Sequence, residues 1–304
     1  GAMLVAAGAR PAQIEPRAGG SERIGHRVEQ GPQLRFAVAA PLDRFGVDPE
    51  RHVVDEHPPV HLGEVDATLA TVHERIEGPD DVVPFLENVT RGRNIPRERL
   101  EEVGKHYFLF GGVSPINAQC RELLGALGAE LERSGPALPI YWGNRNWHPM
   151  LAATVGQMAD DGIRRAVAVA TSAYSSYSAC RQYLEDIDAA RAAVGPRAPL
   201  IEKLPPFWNH PGFIETMAAN TRDALARIRC DRATTRLVFT AHSIPTAMAA
   251  TCDYEVELRE ASALVAERVT SHEARLKWEL VYQSRSGPPT QAWLEPDVCD
   301  HLRA

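Results

Sequence analysis

Residues 236–245 read Arg-Leu-Val-Phe-Thr-Ala-His-Ser-Ile-Pro, an apolar run that ends in a histidine and a proline turn. A short apolar run bounded by turn residues is typical of a strand that is buried in a parallel sheet. Helical patterns stand on both sides of this run, over residues 211–229 and 255–270. Because a strand between two helices is the repeating unit of an open α/β sheet, we expect residues 236–241 to form a central strand.

The same alternation extends over the chain from about residue 79. Further short apolar runs separate helical patterns, and they lie at residues 139–143, 166–170, 200–203 and 280–283. We therefore predict an α/β fold with two doubly wound, Rossmann-like parallel sheets. The predicted division is a poorly structured N-terminal segment over 1–78, a first α/β domain over 79–170 and a second over 171–304.

The N-terminal segment differs from the rest of the chain in composition. It contains only two aromatic residues, Phe36 and Phe45, and it is rich in Gly, Pro and Arg. Such a segment buries little apolar area to offset the entropy that is lost on ordering. We expect residues 1–65 to be mostly loop or weakly ordered, with a strand near Leu34–Ala39 and a helix over Glu64–Ile76.

The overall composition excludes several classes of protein. A net charge of −7 over 304 residues excludes a nucleic-acid or anionic-membrane binder that works by bulk charge. The sequence has no apolar run long enough for a transmembrane helix. Its five cysteines are dispersed without a C-x-x-C pair, which favours a reducing compartment and hence the cytoplasm. G-x-G-x-x-G, P-loop and G-x-S-x-G motifs are missing, which disfavours the common nucleotide sites and serine hydrolases.

In an open parallel sheet the ligand site lies at the carboxyl ends of the strands. His242 directly follows the strand over 236–241. An imidazole at that place can take up a proton or bind a metal ion. The alternative is that His242 only caps the strand by hydrogen bonding.

Four other segments are candidates, and each has a plain structural alternative. Thr171–Ser178 offers hydroxyls and two tyrosine faces to a flat ligand, or it is a solvated serine-rich loop. Tyr141–His148 forms either a binding wall or an aromatic cluster that closes a core. Arg91-Gly92-Arg93 holds carboxylates or phosphates, or it is a solvated basic turn. His57–His61 has the spacing of metal ligands, but the two prolines between the histidines disfavour a metal site.

From Gly78 to its end the chain resembles the ferrochelatases, which insert ferrous iron into porphyrins, and most of all the coproporphyrin ferrochelatases of high-GC Gram-positive bacteria. Several motifs in the family's order carry this resemblance: residues 77–82, Arg91-Gly92-Arg93, Gly111–Pro115, Thr171–Ser178 with Gln182-Tyr183, Ala241–Pro245, Tyr282–Ser284 and Trp293–Asp297.

The resemblance implies a chelatase-type fold, a lyase reaction and a place in haem biosynthesis. His242 matches the catalytic and iron-binding histidine of the family. Ser114 and Tyr183 match positions that contact the porphyrin propionates, and Arg91 is a propionate neighbour. The implied partners are coproporphyrin III and Fe²⁺ as substrates, with no nucleic acid, and we expect a monomer.

The chain departs from the family at both ends. Ala70–Ile76 replaces the apolar strand and glycine pair with which the family begins. The family's second catalytic residue, a glutamate, belongs to a stretch beyond a point like Leu302, so a catalytically impaired porphyrin- or haem-binding remnant, or a truncated gene product, is the alternative function. Many relatives hold a [2Fe–2S] cluster, for which Cys180 matches the mid-chain ligand. One cysteine does not hold a cluster, and we expect none in this chain.

Overall fold

The computed structural model describes residues 4–8, 65–71, 76–228, 235–270, 276–288 and 290–304. Its strands are β1 (Leu4–Gly8), β2 (Ala67–Thr71), β3 (Ile140–Trp142), β4 (Arg165–Ala170), β5 (Leu200–Lys203), β6 (Arg236–His242) and β7 (Lys277–Gln283). Its helices are α1 (Val82–Val89), α2 (Arg97–Phe108), α3 (Ile116–Ser134), α4 (Leu151–Asp160), α5 (Gln182–Val194), α6 (Pro211–Arg227), α7 (Thr246–Ala249), α8 (Tyr254–Val269) and α9 (Val298–Arg303). The predicted α/β fold is confirmed.

The chain divides into two compact units. The first unit comprises the described residues between 36 and 206, and the second comprises those between 207 and 304 together with 4–8. This division lies later than the boundary predicted at residue 170. The physical reason is the parallel pairing of β5 with β4, which includes Leu200 opposite Arg165 and makes β5 part of the first unit's sheet.

The first unit is built on a four-stranded parallel sheet with the strand order β3-β2-β4-β5. Its core forms where α4 and α5 cover this sheet. Val155 and Met158 of α4 and Ile187 of α5 are buried with Leu69 of β2 and Ala168 of β4. This layer fixes β3 and β4, and therefore fixes where the loops that follow them begin.

The expected helix over Glu64–Ile76 is wrong, because β2 occupies part of that range. All five residues of β2 are buried, and β2 pairs in parallel with β3 on one side and β4 on the other. A helix would expose one of its faces, whereas a central strand covered on both faces buries every side chain. Residues 72–75 lie outside the described residues.

A smaller cluster in the first unit packs α1 against α2. Ile76, Phe85 and Leu100 are buried in it, and Trp147 from the loop after β3 packs on its side. The rings of Phe85 and Trp147 meet edge to face, with their centroids 6.0 Å apart. The α1–α2 pair is thereby attached to the carboxyl end of β3.

The second unit contains a three-stranded sheet with the order β1-β6-β7. The strands β6 and β7 are parallel, as predicted, and β1 pairs with β6 in antiparallel orientation. Leu237 and Phe239 of β6 and Leu258 and Val265 of α8 are almost completely buried. The strand β1 was not predicted, and the rest of the 1–64 segment, including the strand expected near Leu34–Ala39, lies outside the described residues.

Candidate functional site

His242 is the residue at which β6 leaves the buried sheet. The five residues before it are buried, whereas His242 is exposed. Its Nδ1 lies 2.6 Å from the carbonyl oxygen of Ser243. Because a carbonyl oxygen only accepts hydrogen bonds, this contact favours the tautomer that has the hydrogen on Nδ1 and the lone pair on Nε2. The ring can therefore accept a proton or bind a cation through Nε2, which are the two roles predicted for it.

Three hydrogen bonds hold the backbone around this histidine. The Ser243 N–H donates to the carbonyl of Gln283 (2.7 Å), and the Ser243 hydroxyl donates to the carbonyl of Leu294 (2.9 Å). The Tyr254 hydroxyl donates to the carbonyl of His242 (3.0 Å). Burial raises the pKa of Tyr254 to about 12, so its hydroxyl stays protonated and remains a donor at neutral pH.

A cavity of about 440 Å³ opens beside Ser243 in the second unit. Arg285 and Trp293 line it, together with the acidic residues Glu295, Asp297 and Asp300. Among the side chains that line it, three carboxylates thus face one guanidinium.

The loops after β3 and β4 lie at the same edge of the first unit's sheet, because the two strands are parallel to β2 between them. Both loops are attached to α5. The Arg145 Nε lies 3.1 Å from Asp186 Oδ2, and the Tyr177 hydroxyl donates to Glu185 Oε2 (3.0 Å). Tyr183 stands on the same helix, half-buried, one turn before Asp186. The structure therefore places Tyr183 among residues that tie both loops to α5.

The charged form of the Asp186 carboxyl group is disfavoured in this arrangement. Burial raises the pKa of Asp186, and the charge of Arg145 opposes this rise without cancelling it. Among the described residues, Asp186 Oδ2 has no partner that meets hydrogen-bond geometry, although Arg145 lies within ion-pair distance. The ion pair lacks a directional bond, which explains why desolvation dominates.

The two tyrosines of the Thr171–Ser178 segment have different surroundings. Tyr174 is only 3% exposed, whereas Tyr177 is 45% exposed. The expectation that both rings face a ligand is therefore wrong for Tyr174, whose ring belongs to the core. Tyr177 remains available to a flat ligand.

Ser114 lies where α3 begins. Its N–H donates to the carbonyl of Ile76 (3.1 Å), and its hydroxyl oxygen accepts from the Ile116 N–H (3.4 Å). Nearby, Glu77 forms an ion pair with Arg121 and accepts from Asn117 Nδ2 (3.3 Å). These contacts hold the chain before the turn at Pro79–Asp81 against α3, and thereby fix the position of Ser114.

Arg91 lies in the exposed loop between α1 and α2. Its guanidinium bonds to the side-chain oxygen of Asn88, and Asn88 Nδ2 donates to the carbonyl of Asn146 (2.6 Å). Arg91 is therefore connected through one side chain to the loop that follows β3.

Of the four residues predicted for the site, the structure places Ser114, Tyr183 and Arg91 in the first unit and His242 in the second. The remaining candidate pair, His57 and His61, lies outside the described residues.

Metal ligands are sparse in the part of the chain that the structure describes. No three His, Cys, Asp or Glu side chains there lie close enough together to hold a metal ion. The described cysteines are not in disulfides, namely Cys120, Cys180, Cys252 and Cys299. Those residues alone do not fit a four-cysteine iron–sulfur cluster. None of the described helices is both long and apolar enough to cross a membrane.

Two residues of this arrangement were not predicted from the sequence. Tyr254 is the first residue of α8, and Asp186 lies in the middle of α5. A buried tyrosine and a helical aspartate have no distinctive spacing. The only available signal was that Tyr254 begins the first long helix after the histidine motif.

Comparison with known proteins agrees with the resemblance drawn from the motifs. The ferrochelatase family model matches residues 76–304. A protein named ferrochelatase from Rhodopirellula baltica is 56% identical over 226 residues, which are 74% of this chain and 63% of that protein. Two proteins named coproporphyrin III ferrochelatase are also similar. The one from Mycolicibacterium vanbaalenii is 53% identical over 78% of this chain and 70% of its own length, and the one from Streptomyces griseus is 52% identical over 78% and 67%.

The chain thus spans just under two thirds of the length of the Rhodopirellula protein and about two thirds of the other two. The matched residues include β3 to β7 and every residue predicted for the site. On the family match and these identities, the chain belongs to the ferrochelatase family.

Proposed function

We propose that this protein inserts ferrous iron into coproporphyrin III as a step of haem biosynthesis. The observation that carries the proposal is the exposed His242 at the carboxyl end of β6, whose Nδ1 lies 2.6 Å from the Ser243 carbonyl oxygen and so leaves Nε2 as the candidate reactive nitrogen. The names of the relatives from Mycolicibacterium and Streptomyces support coproporphyrin III as the substrate.

The reaction needs a base at the centre of the macrocycle. Porphyrin and Fe²⁺ become metalloporphyrin and two protons, because both pyrrole N–H groups lose their hydrogen as the metal enters. His242 Nε2 accepts one such proton, and the other passes to water. The same lone pair also binds Fe²⁺ on its way to the ring, and it serves one role at a time, so iron leaves Nε2 before the proton arrives.

The groups that bind the rim of the macrocycle differ from the base at its centre. Its propionates are anionic, and hydroxyl and guanidinium donors bind such groups by charge-assisted hydrogen bonds. We assign this role to Ser114 and Tyr183, with Arg91 as a further neighbour. The exposed ring of Tyr177 offers an apolar surface to the flat macrocycle.

Fe²⁺ is a substrate in this proposal, not a resident cofactor. We further propose that the protein works as a monomer in the cytoplasm, without a nucleic-acid partner. Its cysteines are dispersed, and the described ones form no disulfide, which suits a reducing compartment.

Absorbance spectroscopy tests the proposal. Coproporphyrin III is titrated with the protein under anaerobic conditions, and ferrous iron is then added, with a protein-free sample as control. Binding shifts the porphyrin absorption, and insertion replaces the visible bands of the free base with those of the iron complex. We expect both changes. Binding without faster insertion than in the control would contradict the proposal and favour a porphyrin-binding protein without turnover, and a failure to bind would contradict both functions.

A further inference from the structure

The peptide group between His242 and Ser243 is held from both sides. Its N–H, which belongs to Ser243, donates to the carbonyl of Gln283 in β7 (2.7 Å). In a trans peptide the carbonyl points away from the N–H, so the His242 carbonyl points to the opposite side of β6. There it accepts from the hydroxyl of Tyr254 at 3.0 Å.

On that side of β6 the neighbouring strand is β1. Its pairing with β6 starts at Leu4 opposite Thr240, two residues before His242. The phenol of Tyr254 therefore supplies a donor to a carbonyl that lies past the paired stretch. Tyr254 is only 4% exposed, so its ring is fixed by packing and its hydroxyl has little freedom to turn elsewhere.

The peptide group that is held in this way adjoins the carbonyl that faces the histidine ring. The next carbonyl along the chain, that of Ser243, is 2.6 Å from Nδ1 of His242. A hydrogen on Nδ1 satisfies this contact, whereas a bare Nδ1 would face the carbonyl lone pairs. The Ser243 carbonyl belongs to the following peptide group, which is joined to the held one at the Ser243 Cα. A rotation of the held group therefore shifts this carbonyl and weakens the preference for a hydrogen on Nδ1.

We propose that Tyr254 is a positioning residue, which holds the His242–Ser243 peptide so that Nδ1 carries the hydrogen and Nε2 is the reactive nitrogen. The importance of this tautomer for iron insertion rests on the proposed function of His242. The effect on the tautomer itself depends only on the hydrogen bonds described above.

The chain offers a matched control in Tyr282 of β7. This tyrosine is also buried, at 2% exposure, and its hydroxyl has no hydrogen-bond partner among the described residues. The substitution Tyr282→Phe therefore removes a buried hydroxyl without breaking a hydrogen bond seen in the structure. Tyr254→Phe removes the same atom together with the bond to the His242 carbonyl.

The tautomer is measured by ¹⁵N NMR on the full chain labelled at histidine, at one fixed pH, because the two ring nitrogens have different shifts in each tautomer. The signal that is lost in His242→Ala identifies His242. We expect the Nδ1–H form to predominate in the parent protein and in Tyr282→Phe. Tyr254→Phe should lower the ratio of Nδ1–H to Nε2–H by roughly 2- to 10-fold, the factor that corresponds to losing one ordinary hydrogen bond.

Iron insertion gives the second readout. In Tyr254→Phe we expect kcat to fall by about the same factor while KM for coproporphyrin III stays unchanged, because the rim contacts are intact. An unchanged tautomer ratio in Tyr254→Phe would overturn the proposal. If Tyr254→Phe does not fold, the tautomer ratio of the parent protein still tests the proposal. A predominant Nε2–H form in the parent would also overturn it. A parent protein with the expected tautomer but no insertion would contradict the proposed function only.

Discussion

The glycine pair before Ser114 gives a quantitative prediction. Gly111 and Gly112 both have left-handed backbone conformations, with φ of +71° and +68°. A Cβ at Gly111 would meet nothing within 4 Å, whereas a Cβ at Gly112 would lie 2.7 Å from Cα and 2.9 Å from N of Pro79. Because both contacts at Gly112 are with backbone atoms, a rotamer change does not relieve them.

The two alanine variants therefore differ in one contribution to the free energy of unfolding, which is the overpacking of a Cβ at position 112 against Pro79. Gly111→Ala carries only the left-handed strain of an alanine, about 1–2 kcal/mol. Gly112→Ala carries the same strain and an overpacking cost of about 1–3 kcal/mol, for a total of about 2–5 kcal/mol. In a unit of this size, each kcal/mol lowers the thermal midpoint by about 2–4 °C.

Thermal unfolding followed by circular dichroism, with coproporphyrin III titration in parallel, tests this difference. We expect Gly112→Ala to have the lower midpoint and the weaker porphyrin binding, because the displaced turn leads directly to Ser114. Gly111→Ala should bind porphyrin as the parent does. Equal midpoints for the two variants would refute the close approach of Gly112 to Pro79.

Two further predictions concern charge and ligand binding. Burial raises the pKa of Asp186 above its usual 3.8, so its stabilising contribution is present below that pH and is lost as the pH rises through the folded value. Asp186→Asn should therefore gain stability relative to the parent as the pH increases from about 4 to 7, and a thermal-midpoint difference that is constant over this range would contradict it. Ser114→Ala and Tyr183→Phe should each weaken coproporphyrin binding by about 10- to 100-fold, the loss of one charge-assisted bond, with a smaller effect for Arg91→Ala at its exposed position. Dissociation constants from absorbance titration check this order of effects. An unchanged affinity in all three variants would contradict the assignment of these residues to the porphyrin propionates.

The strands that the sequence predicted well are those with large or β-branched apolar residues between turn residues. β4 and β6 are of this kind, and both were found within a residue of their expected ends. β2 was missed because Ala67–Thr71 consists mainly of small residues with little hydrophobic signal. Its burial comes from β3 and β4 on its two sides, which a local pattern does not contain.

The place of His242 in the fold was also predictable. The position of His242 followed from the strand before it and from the rule that ligands meet parallel sheets at their carboxyl ends. Its partners were not predictable, because Tyr254 and Gln283 reach it from elements that are distant in sequence. The division after Pro206 depended in the same way on the pairing of β5, whose four residues give little indication of their neighbour.

In the proposed function His242 performs the chemistry, while porphyrin binding comes from residues at the rim. The most direct test compares His242→Ala with the parent protein in coproporphyrin III affinity and in the initial rate of ferrous iron insertion, both followed by absorbance. We expect the affinity to stay within about threefold, because the imidazole contributes no propionate contact. We expect insertion to fall by at least about 100-fold, the usual contribution of a positioned base. A variant that inserts iron at the parent's rate, or that loses porphyrin binding as severely as Tyr183→Phe, would contradict the proposed roles.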